Sequence, residues 1–372
     1  MKKKVLMLAS VASMIDQFNM PNIRLLQEEG YQVHVACNFV EGNTCDAKRI
    51  RELKSTLRQL GVRQHQWDCP RNLYPPIQWF RAYRQLWNLT KQYHFAWIHC
   101  HSPSGGVLAR LTAHQRRIAV IYTAHGFHFY KGAPLINWLL YYPVEKLLSY
   151  WTDVLVTINR EDYQLAKRSM KAGKVYFIPG IGIDTAKFRK PSGAEAQALL
   201  DKERKKIRAR YGIPEDAVLF LSVGELSRRK NHQAVIAALA AAGRTNLYYL
   251  ICGQGKLREE LKRQAKKLGI ADRVIMPGFL QDVVGLYRSA DIFVFPSLQE
   301  GMPAALMEAM AAGMPCVVSD IRGNRELIDR RGGIKFPVSD LGRLKDAILY
   351  FADHSSERDV CGRYNQEAIA GY

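Results

Sequence analysis

The sequence lacks several motifs that would assign a function directly. Its seven cysteines are scattered and form no C-x-x-C pair, which argues against a disulfide framework or a thiolate metal site and fits a reducing cytosol. It has no G-x-x-x-x-G-K-[ST] phosphate loop, which disfavours a kinase or ATPase of the Walker type. It also has no D-x-D pair, so no metal site that bridges a diphosphate is expected.

Long apolar runs are scarce as well. The most hydrophobic segment, Leu135 to Trp151, contains Pro143, Glu145 and Lys146, which makes it a poor transmembrane span. The N-terminal apolar run Val5–Ala9 is short and is not followed by a small-residue cleavage site, which argues against a signal peptide. We therefore expect a cytoplasmic chain whose membrane contact is peripheral.

The length and charge of the chain indicate a two-domain protein with an anionic partner. The chain has 372 residues, of which 48% are hydrophobic and 24% charged. Its 54 Lys and Arg against 34 Asp and Glu give a net charge of +20, so the partner should be a nucleic acid, a membrane surface or a phosphorylated small molecule. Residues 1–190 hold 27 basic and 12 acidic residues, against 27 and 22 in the remainder. The anionic surface or acceptor is therefore expected to meet the first half.

The hydrophobic pattern predicts an α/β fold made of two doubly wound halves. Short apolar runs alternate with segments long enough for crossover helices, and this alternation predicts parallel sheets. A Gly/Pro-rich stretch separates the halves, so we predict domains at 1–185 and 186–372 with a hinge near 180–190, and a polar helix over Ala194–Tyr211. The predicted strands are Val5–Ala9, Gln32–Cys37, Phe95–Cys100, Ile118–Thr123, Val154–Ile158, Val175–Ile178, Val218–Val223, Leu247–Cys252, Val274–Met276, Ile292–Phe295 and Cys316–Ser319.

The strongest candidate site follows the fourth predicted strand of the second half. Its loop leads through Gly301 and Pro303 into a predicted helix at Ala304–Ala312, whose free N–H groups and positive dipole end form a natural phosphate seat. Glu300 stands before this helix and Glu308 lies within it, so two carboxylates flank the seat and could bind sugar or ribose hydroxyls. The alternative interpretation is an ordinary capped helix with surface glutamates.

A second constellation follows the first predicted strand of the second half. Arg228, Arg229 and Lys230 are placed there to meet a diphosphate, although a solvated basic turn is the alternative. A further turn, at Gly253 and Gly255, would let a nucleotide lie close to the backbone, but it lacks the rest of a dinucleotide fingerprint.

Three histidines of the first half need separate interpretations. His125 follows the predicted strand Ile118–Thr123 and could donate to a sugar hydroxyl, although a lone histidine is more often a structural hydrogen-bonder. His99 and His101 are expected to face opposite sides of their strand, so a joint metal site is not expected.

Two stretches combine aromatic rings with basic residues, at Pro76–Tyr93 and Phe127–Trp151. This combination is typical of helices that lie at a membrane surface, and its concentration in the more basic half favours that interpretation. The alternative is that many of these rings belong to the core.

The motifs and their order resemble those of the family 4 retaining glycosyltransferases over nearly the whole chain. Glu300-Gly301-Met302-Pro303 followed by Glu308 is similar to the family's E-x7-E element. Bacterial members that assemble capsular and extracellular polysaccharides on a lipid carrier are especially similar. Further elements that match the family in order and spacing are Thr123-Ala124-His125-Gly126-Phe127-His128, Gly224-Glu225-Leu226 with Lys230-Asn231, Gly253-Gln254-Gly255, Pro277-Gly278-Phe279, Ala290-Asp291 and Pro296-Ser297.

This resemblance implies a GT-B fold, in which two Rossmann-like doubly wound domains face each other across a cleft. The N-terminal domain would bind a lipid-linked saccharide acceptor and the C-terminal domain a nucleotide sugar, with UDP the nucleotide favoured by family frequency. Transfer would retain the anomeric configuration without a metal or another cofactor. The enzyme would act at the inner face of the cell membrane in contact with anionic lipid, and no nucleic acid partner is expected.

The resemblance also implies roles for individual residues. Glu300 would bind donor sugar hydroxyls, Glu308 the ribose hydroxyls, and Lys230 would neutralise the leaving diphosphate. His125 would contact the donor sugar from across the cleft. The remaining donor contacts are implied for backbone N–H groups at Gly301, Met302, Pro303 and Ala304, and for Gly253 and Phe279, which would border the base.

Two features depart from the family pattern. Glu225 stands where many members have an arginine, so either Arg228 or Arg229 supplies the missing cation, or the diphosphate relies more on the lysine and the helix N-terminus. The chain stops at Tyr372, soon after a predicted helix at Leu344–Asp353, so the final helix that usually crosses back onto the first half is expected to be shortened or missing.

The implied chemistry places charge stabilisation of the departing diphosphate as the largest catalytic contribution. With retention, the acceptor attacks from the leaving group's side, so the departing phosphate oxygen can take the proton and no protein base is required. Three other classes stay open: a GT-B sugar-nucleotide epimerase, a nucleic-acid binder and a non-catalytic membrane-bound assembly subunit.

Overall fold

The computed structural model describes residues 2–42, 45–70, 76–191 and 193–372. They form two compact units, Met1–Ile181 (unit 1) and Gly182–Tyr372 (unit 2), each built on its own β-sheet. Every strand pairing in both sheets is parallel, and helices connect the strands. The predicted α/β class is therefore confirmed, because apolar runs alternate with helical segments throughout.

The sheet of unit 1 has the strand order β3-β2-β1-β4-β5-β6-β7. Its strands are β1 Lys4–Val11, β2 Gln32–Asn38, β3 Arg63–Gln66, β4 Phe95–His101, β5 Ala119–Ala124, β6 Val154–Thr157 and β7 Lys174–Phe177. Almost every residue of β1 and β2 is buried, as expected for strands covered on both faces. The sequence does not predict β3, because this edge strand reads Arg-Gln-His-Gln and shows no apolar pattern.

Seven α-helices belong to the described part of unit 1: α1 Ala12–Met14, α2 Met20–Glu28, α3 Ala47–Gln59, α4 Pro76–Gln92, α5 Pro103–Arg116, α6 Leu135–Ser149 and α7 Arg160–Ser169. Helices α4, α5 and α6 pack on one face of the sheet, while α2 and α3 pack on the other. A buried ion pair ties α6 to α5, with Arg110 and Glu145 2.8 Å apart. None of the described helices is both long enough and apolar enough to cross a bilayer.

The sheet of unit 2 has the strand order β10-β9-β8-β11-β12-β13. Its strands are β8 Val218–Val223, β9 Leu247–Cys252, β10 Val274–Gly278, β11 Ile292–Phe295, β12 Cys316–Ser319 and β13 Gly333–Phe336. The strand order runs outward in both directions from β8 and β11. This neighbouring pair is the topological switch point of the sheet, where ligands of doubly wound folds bind at the carboxyl ends of the strands. The equivalent pair in unit 1 is β1 and β4.

The α-helices of unit 2 are α8 Thr185–Phe188, α9 Ala194–Arg210, α10 His232–Ala241, α11 Arg258–Lys267, α12 Val284–Ser289, α13 Ala304–Ala311, α14 Arg322–Leu327, α15 Leu341–Asp353 and α16 Ser355–Ala368. The sequence does not predict α16, which continues the chain as a helix beyond Asp353. Asn365 fixes this helix within unit 2, because its side-chain amide donates to the carbonyls of Met314 and Gly332, each at 2.8 Å.

Candidate active site

The loops that follow β8 and β11 meet at the switch point of unit 2. After β8 the chain makes a 3-10 turn at Arg228–Lys230, and Asn231 then adopts a left-handed conformation with φ of 54°. The Asn231 side chain donates to the Pro296 carbonyl at 3.2 Å, and the Leu298 N–H donates to the Arg229 carbonyl at 2.8 Å. These bonds hold the basic turn against the loop that carries the carboxylate.

Two cationic side chains of that turn contact the Glu300 carboxylate. Its Oε1 lies 2.8 Å from Lys230 Nζ and 2.9 Å from a guanidinium nitrogen of Arg229. Arg229 also donates to the Gln299 carbonyl at 3.0 Å. Arg229, and not Arg228, is therefore the arginine of this turn that contacts the carboxylate.

The Lys230–Glu300 pair is largely buried, with side-chain exposures of 11% and 9%. Burial alone would raise the pKa of Glu300, but the charges of Lys230 and Arg229 outweigh this effect and hold the pKa below its usual range. Burial lowers the pKa of Lys230, and Glu300 opposes that shift. The ammonium also lies 4.5 Å from the centre of the Phe295 ring, which further favours a positive charge at this place. The site therefore holds a charged pair whose cation an incoming anion could share.

Residues at the carboxyl end of β12 fix the loop that carries Glu300. Ser319 Oγ donates to the Ser297 carbonyl at 2.5 Å, and Arg322 Nε donates to the Glu300 carbonyl at 3.3 Å. A Cβ atom at Gly323 would lie 2.6 Å from the carbonyl oxygen of Gly301, so this close approach requires a glycine. The backbone around the carboxylate is thus held from a third strand end.

Glycines let the loops after β8 and β9 lie directly against each other. A Cβ atom at Gly253 would lie 1.8 Å from the carbonyl oxygen of Gly224, and one at Gly255 would lie 2.4 Å from that of Leu226. The Leu226 N–H donates to the Gln254 carbonyl at 3.0 Å across the same contact. A ligand at the carboxyl edge of the sheet would therefore contact mainly backbone atoms, because few side chains project there.

Helix α13 begins directly behind Glu300. Its first turn leaves N–H groups without intrahelical partners, while the N–H groups of Leu306 and Met307 both donate to the Pro303 carbonyl. Pro303 itself has no N–H. Of the four residues expected to donate backbone N–H groups, only Gly301, Met302 and Ala304 can therefore do so. The positive end of this short helix dipole points towards the loop.

Glu308 lies one turn into α13 and is titratable near neutrality. The hydroxyl of Tyr287 lies 2.7 Å from Glu308 Oε2 and 3.1 Å from the Ala305 carbonyl. Burial raises the pKa of Glu308 to about 7, and the hydrogen bond from Tyr287 opposes that shift. The carboxyl group can therefore be neutral or charged in the physiological range.

The histidines lie in unit 1, at the carboxyl ends of β4 and β5. His101 Nδ1 lies 2.9 Å from His125 Nε2, and His99 Nε2 lies 2.8 Å from Thr123 Oγ1. The expectation that His99 and His101 face opposite sides is wrong: residues two apart on a strand point the same way, and their ring centres are 4.3 Å apart. Burial lowers the pKa of His99 and of His125 to about 4. No group of three or more His, Cys, Asp or Glu in the described ranges is placed to hold a metal ion.

The structure brings some of the predicted residues together and leaves others apart. Lys230, Arg229 and Glu300 form one cluster, and Gly301 to Ala304 lead from it to Glu308. Gly253 is joined to the end of β10, because its N–H donates to the Gly278 carbonyl at 2.9 Å beside the partly exposed Phe279.

The sequence analysis does not identify three residues that support the site. Ser319 and Arg322 support the Glu300 loop, and Tyr287 binds Glu308. Ser319 and Arg322 stand at the carboxyl end of β12, so the rule of inspecting strand ends would have found them. Tyr287 lies within α12, and no local signal marks it.

Comparisons with known proteins identify the family of the chain. A family model described as glycosyl transferase 4-like matches residues 4–159, and one described as glycosyl transferases group 1 matches residues 203–368. EpsD of Bacillus subtilis (strain 168), which is named as a glycosyltransferase, is 38% identical over 99% of this chain and 91% of its own length. An Escherichia coli protein named UDP-Gal:alpha-D-GlcNAc-diphosphoundecaprenol alpha-1,3-galactosyltransferase is 28% identical over 72% of this chain and 69% of its own.

Solved structures show the same fold. HepE from Anabaena, crystallised with UDP and glucose, aligns with a TM-score of 0.78 at 16% identity, over 99% of this chain and 95% of its own. WaaG, a glycosyltransferase involved in lipopolysaccharide biosynthesis, aligns with a TM-score of 0.72 at 18% identity, over 98% and 95%. These likenesses confirm two Rossmann-like domains of the GT-B type. With the identity to EpsD over almost its whole length, the chain belongs to the family 4 glycosyltransferases.

Proposed function

We propose that this glycosyltransferase moves a sugar from a nucleotide sugar to a lipid-linked saccharide acceptor, with retention of the anomeric configuration. The donor is a UDP-hexose or a UDP-N-acetylhexosamine, and the product is an intermediate of cell-surface polysaccharide synthesis. The observation that carries the proposal is the buried Lys230–Glu300 pair at the switch point of unit 2, directly before α13.

Each part of the donor has a matching group in this site. The diphosphate takes Lys230, Arg229 and the N-terminus of α13, which together offer two cations and free backbone N–H groups. The sugar hydroxyls take Glu300, which the loop holds at the same point. Glu308 binds the ribose hydroxyls, and the backbone at Gly253 lies under the base, with Phe279 at its border.

The charges of the site suit departure of a nucleoside diphosphate. As the bond between the anomeric carbon and the phosphate oxygen breaks, negative charge develops on that oxygen and positive charge on the sugar. Lys230 and Arg229 stabilise the oxygen, and the oxygen takes the proton of the acceptor hydroxyl as the new glycosidic bond forms. The proposal therefore assigns no protein base and no metal, and Glu300 is neither base nor nucleophile.

The relatives support the donor and the acceptor classes. HepE is described with UDP, with UDP and glucose and with UDP-glucose. The Escherichia coli relative is named for a UDP-galactose donor and a diphosphoundecaprenol-linked acceptor sugar. We propose the same classes for this chain, with the acceptor bound by the more basic unit 1.

The outward face of α6 supports contact with a membrane. Leu135 is 80% exposed and Leu139 is 71% exposed, and other large apolar residues of this helix face solvent as well. The single acidic residue of α6, Glu145, faces inward to Arg110, whereas Lys146 is exposed. A face with apolar residues and no carboxylate fits the surface of an anionic membrane. We therefore propose that the protein binds peripherally through α6, at the inner face of the cell membrane.

The aromatic stretches of α4 and α6 divide between core and surface. Trp79, Tyr83, Trp138 and Tyr142 pack against the core of unit 1, as the alternative interpretation has it. On the outer side of α4, Ile77 and Phe80 stay exposed beside Arg81 and Arg84, and these four residues line a shallow depression of about 400 Å³. Helices α4 and α6 both contact α5 on the same face of the sheet.

A screen of UDP- and GDP-sugars tests the function. The correct donor should raise the melting temperature, because only the folded state binds it. With that donor and a lipid-linked acceptor, Glu300→Ala and Lys230→Ala should each lower turnover at least ~100-fold, the scale of one lost preorganised electrostatic contact. Arg229→Ala should lower turnover more than Arg228→Ala, the matched neighbour that does not reach Glu300. Near-normal rates in purified Glu300→Ala and Lys230→Ala would refute the assigned roles, and release of a free epimer without acceptor would indicate an epimerase instead.

A further inference from the structure

His101 and His125 form a pair at the carboxyl edge of unit 1, next to the switch point between β1 and β4. In the register of the sheet, His101 stands opposite Thr123. It reaches past that partner to His125, two residues further along, with 2.9 Å between His101 Nδ1 and His125 Nε2. His101 is only 2% exposed, whereas His125 is half-buried. A ligand could therefore touch His125, while His101 could act on it only through this bond.

Burial favours the neutral form of both rings, so a single proton joins His101 Nδ1 and His125 Nε2. Burial lowers the pKa of His125 to about 4, and burial with the neighbouring His99 and His125 lowers the pKa of His101 well below its ordinary value. Between two neutral imidazoles, one nitrogen donates and the other accepts. Two arrangements satisfy the contact: His101 donates from Nδ1 to His125 Nε2, or His125 donates from Nε2 to His101 Nδ1.

The surroundings of the other ring nitrogen of His101, Nε2, distinguish these two arrangements. His101 Nε2 is buried and has no hydrogen-bond partner in the described part of the chain. If His125 were the donor, Nε2 of His101 would carry a buried N–H without an acceptor, a rare and costly feature in folded proteins. If His101 donates, Nε2 has only an unprotonated lone pair, and His125 carries its own proton on Nδ1, the nitrogen that the pair leaves available.

The backbone that follows His125 is fixed as well. The Phe127 N–H donates to Asp162 Oδ2 at 2.9 Å, and the Asn159 side chain donates to the same oxygen at 2.7 Å. The chain is therefore anchored two residues beyond His125, and the ring of His125 itself contacts His101.

We infer that His101 is a positioning residue, which holds His125 as a neutral donor with its proton on Nδ1, available to a sugar hydroxyl. This inference rests on the proposed function, in which the enzyme binds a nucleotide sugar and a saccharide acceptor. A neutral N–H can donate to a sugar hydroxyl and, unlike an imidazolium, adds no positive charge near a sugar that becomes positively charged during transfer. The inference goes beyond the resemblance, which assigns no role to His101.

The tautomer can be measured without activity. Long-range 1H–15N spectra of the full chain, labelled with 15N-histidine at pH 7.5 and assigned with His125→Gln, should show His125 protonated at Nδ1. In His101→Leu, this form should give way to a mixture or to the Nε2–H form. Finding His125 protonated at Nε2 in the unaltered protein would overturn the inference, even if no donor or acceptor had been identified.

The kinetic test uses a matched pair elsewhere in the same sheet. His34 Nδ1 lies 3.0 Å from His65 Nε2, with the same diagonal geometry between β2 and β3 but away from the carboxyl edge. His101→Leu should lower kcat about 10-fold or more through misplacement of His125, with little change in donor KM. His34→Leu should lower the melting temperature but leave kcat within about 2-fold.

The conservative variant separates positioning from general support of the fold. In His101→Asn the side-chain amide nitrogen takes the place of Nδ1, so kcat should return to within about 3-fold of the unaltered protein. If folded His101→Asn stays as slow as His101→Leu, or if His34→Leu slows kcat equally, the inference fails. If instead the unaltered protein transfers no sugar from any donor, the proposed function fails, and the spectra still decide the role of His101.

Discussion

Glu300 already contacts the two cations that we propose for the diphosphate. In the free protein its Oε1 lies within 3 Å of Lys230 and of Arg229, so nucleotide binding must share these charges. Glu300→Gln should therefore bind UDP at least as tightly as the unaltered protein, although it transfers sugar poorly. Lys230→Met should bind UDP about 10- to 100-fold more weakly, the scale of one hydrogen bond to a charged group. Calorimetric titration with UDP measures both, and an equal loss of affinity in the two variants would contradict this competition.

Glu308 should make donor binding depend on pH. Burial raises its pKa to about 7, so the carboxyl group is mostly neutral below that pH and mostly ionised above it. In the proposed role, the ionised form would accept hydrogen bonds from two ribose hydroxyls, so donor affinity should rise by up to about 10-fold between pH 6 and pH 8. Tyr287→Phe removes a hydrogen bond that lowers this pKa, and should move the midpoint to higher pH.

The control for this dependence is Glu308→Gln, in which the step should disappear. Titration of the nucleotide itself would persist in that variant, so the comparison separates the two sources. If the affinity of the unaltered protein falls as pH rises, or if Tyr287→Phe moves the midpoint downward, the assigned role of Glu308 is contradicted.

At the scale of elements, the carboxyl edge of unit 2 depends on the contact between the turns after β8 and β9. Gly253→Ala would place a Cβ atom 1.8 Å from the Gly224 carbonyl oxygen, so one turn must move. We expect a loss of about 1–3 kcal/mol in the free energy of unfolding, with weaker UDP binding. Gly342→Ala, in the first turn of α15, meets only the Asp340 side chain at 3.3 Å and should cost little. Denaturant unfolding with and without UDP compares them, and equal effects would contradict the role of this contact.

The elements also show how far the sequence determines the fold. Strands such as β1 and β8 are continuous apolar runs between turn signals, and the pattern predicts them within a few residues. Edge strand β3 carries only polar and histidine side chains, and β13 has only four residues and begins with a glycine directly after a turn at 330–332, so neither gives a pattern. These elements form because a neighbouring strand supplies hydrogen bonds, which a local pattern does not record.

The site was predictable in its residue types and not in its pairings. Glu300 and Lys230 each follow a strand, but their contact depends on β8 and β11 being neighbours in the sheet, which no local pattern gives. The choice of Arg229 over Arg228 depends on a 3-10 turn that ends in left-handed Asn231. The His101–His125 pair likewise depends on strand register. The sequence therefore predicts the residue types of the site, but it does not predict which strands are neighbours or in which register they pair.

At the scale of the whole molecule, the net charge of +20 and the apolar face of α6 should act together on a membrane. Charge should draw the protein to anionic lipid, and the exposed leucines of α6 should then insert into the membrane surface and hold it there. We expect binding to vesicles of phosphatidylglycerol and phosphatidylethanolamine that weakens with salt but persists, and weaker binding to phosphatidylcholine alone. Persistence in salt is the mark of the apolar contribution, since screening removes only the attraction between charges.

Leu139→Glu tests that contribution against a matched leucine. Leu139 is 71% exposed on α6, and Leu199 is 68% exposed on α9 of unit 2, so both substitutions change charge and exposed apolar area alike. Leu139→Glu should lower vesicle affinity at least 10-fold in a sedimentation assay, because it removes about 1.5–3 kcal/mol of apolar burial and adds a repelled charge. Leu199→Glu should leave the affinity within about 2-fold. Equal losses in both variants would mean that net charge alone holds the protein, and that α6 does not enter the membrane surface.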